Sequence, residues 1–98
     1  MPHAFWSPEA ARDIEEIAFY IAIDDGRPAT ADEVVRGIDE LCKLIASQPE
    51  MGESRPEFGY DCRVFPYKKR WVALYRPVEN GIQVLRVVDG SRDFDRLF

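Results

Sequence analysis

From Ala31 to Ile45 the chain places apolar side chains at Ala31, Val34, Val35, Ile38, Leu41, Cys42 and Ile45. Only an α-helix gathers that spacing onto one face. The helix begins near Pro28 or Thr30, where Thr30 and Glu33 have capping-box spacing. Pro49 ends it, because the residue before a proline avoids helical angles. A single apolar stripe must be buried against another element, and the preceding segment supplies one. Ser7-Pro8-Glu9 has the chemistry of a helix start: a capping hydroxyl, a proline at the first helical position and an acid at the positive end of the dipole. Ala10, Ile14, Ile17, Ala18 and Ile21 then recur with helical period, while Glu9, Arg12, Asp13, Glu15 and Glu16 are assigned to a solvated face. Asp24-Asp25-Gly26 stops this helix, with Gly26 as a left-handed cap. The two segments predict a helical hairpin.

After Pro49 the helical period disappears. Pro49, Gly52, Pro56 and Gly59 punctuate a loop over 49–61. Strand-like runs follow at Arg63-Val64-Phe65, Trp71–Tyr75 and Ile82–Val88. Lys68-Lys69 turns the first hairpin and Asn80-Gly81 the second. Ala4-Phe5-Trp6 is short and apolar and predicts an edge strand, and Ser91–Phe98 reads as a tail with one helical turn. Strand, helix, helix and then three antiparallel strands give an α+β fold, β-α-α-β-β-β, with the hairpin on one face of an antiparallel sheet. The middle strand is apolar on both sides, which predicts a second, partly apolar concave face that expects a partner. The length of 98 residues predicts one domain spanning 1–98, and 46% hydrophobic content argues against disorder.

Charge and chemistry narrow the function. Eighteen acids against 13 Lys and Arg give a net charge of −5, which lowers the case for a phosphate-driven binder. The charges segregate, however: Arg63, Lys68, Lys69, Arg70 and Arg76 occupy 63–76 with no acid among them. Cys42, Cys62 and a single histidine, His3, cannot supply four protein ligands to a structural zinc. His3 is terminal, so Ser-His-Asp and Cys-His frameworks are absent, and no phosphate-cradling glycine loop occurs. No cofactor or metal is expected. Both cysteines read as buried, reduced thiols. No apolar run of signal or membrane-span length is present, which predicts a cytoplasmic protein.

Several stretches belong together: Trp6-Ser7-Pro8-Glu9-Ala10 with Ile14, Ile17-Ala18 and Tyr20-Ile21; Leu41 through Pro49 and Gly52; and Arg63. Trp71-Val72, Leu74-Tyr75 and the ending Val84–Asp93 complete the set. In this order and spacing they resemble ParE-type toxins of the ParE/RelE toxin–antitoxin superfamily. The resemblance implies the same hairpin-on-sheet fold, a ParD-like antitoxin as partner, and DNA gyrase as target. RelE-like relatives instead cut messenger RNA on the ribosome, using cations on the hairpin strands and a tyrosine at the tail. Here Phe65, Trp71 and Phe98 occupy positions where such chemistry would place two cations and that tyrosine, while Arg63 and Arg92 keep charge. Losing one positioned donor commonly costs about a hundredfold or more in rate. The expectation is therefore a toxin that binds rather than catalyses, with no sequence-specific nucleic-acid contact; the alternatives are a RelE-type endonuclease and a non-toxic member that binds only antitoxin.

The candidate contact residues are Arg63, Trp71, Arg86, Arg92, Phe94, Leu97 and Phe98. Five of them also have a structural reading. Arg86 sits between Val84 and Val88 and either pairs with Asp89, Asp93 or a helix-one acid, or meets a partner. Trp71 is either core or an interface anchor. Phe94, Leu97 and Phe98 either pack the tail onto the sheet or form the surface a partner reads.

Overall fold

The computed structural model describes residues 2–90. Arg92, Phe94, Leu97, Phe98 and the expected tail turn lie outside the described residues.

The elements are β1 (His3–Trp6), α1 (Pro8–Phe19), a π-helical turn (Tyr20–Asp24) and α2 (Pro28–Ser47). Then come β2 (Glu53–Ser54), a 3₁₀ turn (Pro56–Phe58), β3 (Arg63–Tyr67), β4 (Trp71–Val78) and β5 (Gly81–Asp89). The strands form one sheet in the order β1-β5-β4-β3-β2. The β3–β4 and β4–β5 pairings are antiparallel, as the strand runs predicted; β2 adds a third antiparallel pairing from within the segment 49–61 expected to be a loop, and β1 runs parallel to β5, so the sheet is mixed. The difference follows from what lies between them: the helical hairpin returns the chain to the end of the sheet where β1 stops, and β2, β3 and β4 then alternate in direction, so β5 runs the same way as β1.

Ser7 caps α1 as expected. Its hydroxyl accepts from the Ala10 amide at 3.0 Å and donates to the Leu85 carbonyl at 2.9 Å, so the cap also ties the helix start to β5. The capping box at Thr30 does not form: α2 begins at Pro28 with Arg27 before it, placing Thr30 inside the first turn. Gly26 has φ +65°, the left-handed stop predicted for the first helix. Between α1 and that stop the chain loosens into a π turn, with the Asp25 amide donating to Tyr20 O at 3.1 Å. The second hairpin turns at Glu79-Asn80 rather than Asn80-Gly81, since Val78 pairs with Gly81. Gly81 has φ +144° and a Cβ there would fall on the His3 backbone, so only glycine lets β1 dock beside β5.

The helix stripes and the inner sheet face form the main core. Tyr75, Ile38, Ile45, Ile82, Val84 and Cys42 are its most enclosed side chains. Fully burying a large aliphatic or aromatic side chain contributes about 1.5–3 kcal/mol. Cys42 behaves as a buried hydrophobe; burial, with Asp39 nearby, pushes its thiol up to about 12. A smaller cluster of Cys62, Val64 and Leu74 lies apart from this core, with Phe58, Val72 and Leu85 packed against it. The 3₁₀ turn and the residues after it thus cover part of the sheet surface that the helices leave bare.

Candidate functional site

β5 is longer than its parallel neighbour. Residues 81–84 pair with β1, so from Leu85 onward the β5 edge faces α1 instead of a strand. A register shift opposite Leu74/Tyr75 sits at the same level and makes Leu85 the extra residue. Asp13 closes the exposed edge. One carboxylate oxygen, Oδ2, accepts from the Val87 amide at 2.9 Å and from Arg86 Nε at 2.7 Å, while Oδ1 accepts from Arg86 Nη2 at 3.0 Å. This two-pronged pair holds the guanidinium further above its ordinary pKa, chiefly through the Asp13 hydrogen bonds.

Asp13 is therefore not on the solvated face predicted for it. Its side chain is 11% exposed, because it stands three residues after Ala10 and four before Ile17, inside the buried arc of α1. That spacing was the available signal. Arg86 is spent on this pair, the helix-one option among those left open.

Trp71 is core: it is 6% exposed and belongs to the main cluster under the helices. The Arg70 guanidinium lies 4.7 Å from its ring centroid and pairs with Asp89 at 3.5 Å. Trp71 and Arg86 line one open groove of about 660 Å³, together with Asp13, Tyr20, Arg70 and Asp89. Arg63 lies elsewhere, in a second depression with Pro49, Met51 and Tyr60. Its Nη1 donates to Gly52 O at 2.7 Å and Glu50 O at 3.1 Å, so it braces the loop after α2. Tyr75 braces the same loop from inside, donating to Pro49 O at 2.8 Å and accepting from the Gly52 amide at 2.9 Å. Burial raises the Tyr75 phenol above its ordinary range, against the opposing pull of the Gly52 amide and Arg63.

One feature of the groove rim was not read from the sequence. Where α1 gives way to the π turn, Phe19 is 64% exposed and Ile23 63% exposed, beside a partly exposed Tyr20. Exposed apolar side chains clustered at a π turn are typical of functional surfaces rather than of stability. Both residues fell outside the apolar period used to place α1.

The sequence matches the family model described as the ParE toxin of the type II toxin–antitoxin system, parDE, over residues 4–94. The chain belongs to the ParE toxin family. It is also similar in structure to a chain of the solved chromosomal ParDE TA system from P. aeruginosa, with a TM-score of 0.74 and 26% sequence identity. That similarity covers 91% of this chain and 96% of the other. No curated protein matches it. The ParE fold expected from the sequence is thus the fold observed. No described helix of this ParE-family chain is long and apolar enough to cross a membrane.

Proposed function

We propose that this ParE toxin acts in the cytoplasm by gripping DNA gyrase, without catalysis, and that a ParD-like antitoxin neutralises it. The observation that carries the reading is how three of the described arginines are used. Arg86 is locked to Asp13, Arg63 to two backbone carbonyls, and Arg70 lies against Trp71 and Asp89. Cations held this way serve the architecture and are poorly placed to follow a reacting phosphate. The rim offers grip instead: the exposed Phe19 and Tyr20 line a groove that also holds the charged Asp13, Arg70, Arg86 and Asp89, and the exposed Ile23 stands one helical turn beyond Phe19. An apolar anchor within a polar surround is the usual anatomy of a protein contact.

The parDE family description and the ParDE structural neighbour support a ParD-like partner. The test has two arms run on the same preparation. Purified gyrase should lose supercoiling activity when the toxin is added and regain it when the neighbouring antitoxin is supplied. A translation extract should keep its messages intact. Undiminished supercoiling at large toxin excess, or cleaved messages, would remove the reading.

A further inference from the structure

The β3–β4 hairpin closes through Lys68-Lys69, and both lysines have left-handed backbones, with φ +53° and +59°. The Arg70 amide donates to Tyr67 O at 3.2 Å, which completes a tight turn with both central residues at positive φ. Such turns are ordinarily built from asparagine and glycine, which reach these angles with little strain. Two lysines here are a choice against stability, and strain of this kind collects at functional positions. Both side chains are exposed, and among the described residues neither ammonium has a carboxylate partner. The other cations of 63–76 are committed: Arg63 to carbonyls, Arg76 to Asp61 and Arg70 to Asp89. Lys68 Nζ also stands 5.7 Å from the Tyr67 ring centroid, and the Tyr67 and Trp71 rings lie 6.2 Å apart across the hairpin mouth.

We infer that the Lys68-Lys69 turn is a prong that touches the phosphate backbone of duplex DNA, independently of base sequence. The turn sets two lysine backbones side by side at an exposed tip, and their flexible stems let both ammonium groups reach neighbouring phosphates. The net charge of −5 does not prevent this. Exposed charges more than about 8 Å apart are largely screened at physiological salt, so the local sign decides. With two cations in the turn the contact is weak alone, and it becomes effective where the toxin is already held beside DNA. That last step rests on the gyrase reading; the contact itself does not.

The experiment titrates the isolated chain with a duplex of about 30 base pairs and follows backbone amide signals by NMR. Shifts should concentrate at Lys68, Lys69 and Arg70. They should weaken with salt on a logarithmic slope of about −1.8, the value for two neutralised phosphates. The variant Lys68→Asn with Lys69→Gly suits the turn better, so it should melt no lower than the parent while losing the shifts. It should also inhibit gyrase at least tenfold less well. Absent shifts, shifts confined to other surfaces, or equal shifts with a glutamate-rich peptide would overturn the inference. If the variant inhibits gyrase undiminished and no shifts occur, the prong fails and the gyrase reading stands. If the shifts occur and gyrase is untouched by either chain, the prong stands and the gyrase reading fails.

Discussion

Removing the Asp13 carboxylate should cost this domain a large part of its stability. In Asp13→Ala the Val87 amide loses its acceptor on an edge that no strand covers, and an unpaired buried amide costs about 1–3 kcal/mol. Two charge-assisted hydrogen bonds to Arg86 go as well. The Arg86 side chain is 41% exposed and can turn to water, so their loss is discounted to about 1–2 kcal/mol. The sum is about 3 kcal/mol, against a total of roughly 5–15 kcal/mol for a domain. For a chain of this size that corresponds to a fall in Tm of roughly 12–24 °C. Asp13→Asn keeps an oxygen for the Val87 amide and should lose about half as much. Arg86→Ala should lose about 2 kcal/mol, because it strands a mostly buried carboxylate. The double variant should be less destabilised than the sum of the two. Thermal and urea unfolding of the four chains, with Glu16→Ala as an exposed control, measure this directly. A loss below about 1 kcal/mol for Asp13→Ala, or strict additivity with Arg86→Ala, would refute the assignment of Arg86 to architecture.

Tyr75→Phe removes the phenol that holds Pro49 O and the Gly52 amide, and should cost about 1–3 kcal/mol, with faster hydrogen exchange at Gly52. Phe19→Ala with Ile23→Ala should leave stability within about 0.5 kcal/mol while weakening gyrase inhibition at least tenfold, because both side chains are exposed. Cys42 should resist thiol reagents at pH 8 in the folded chain and react after unfolding. Its folded pKa of about 12 lies above the ordinary value of 9.0, so the folded chain retains a proton that the unfolded chain releases. The associated stability is therefore intact below about pH 9 and is lost as pH rises toward 12, which unfolding curves across that window would show.

The α-helices and three main strands were legible because their apolar periods are long and end in proline or glycine. The parallel docking of β1 was not, since the four residues His3–Trp6 carry no signal of direction. The π turn was hidden for a related reason: inserting an extra residue shifts the period without breaking it, so Phe19 and Ile23 looked unremarkable. Trp71 and Arg86 were read as either structural or partner-contacting, because a strand pattern cannot say whether an arginine reaches a partner or an acid of its own chain. Asp13 was misread by residue type. A carboxylate between Ala10 and Ile17 on the helix wheel was assigned to water, when the open β5 edge needed an acceptor there. Arg63 shows the limit most plainly, because its partners are backbone carbonyls, which no residue pattern reveals.

The central claim is that this toxin stops its target by occupying it. Titrating the toxin into a fixed amount of gyrase in a supercoiling assay tests that most directly. Inhibition should track the ratio of toxin to enzyme, saturate as the enzyme is filled, and reverse on capture by antitoxin. Inhibition that deepens with time at trace toxin, or supercoiling that persists with toxin in large excess, would contradict it.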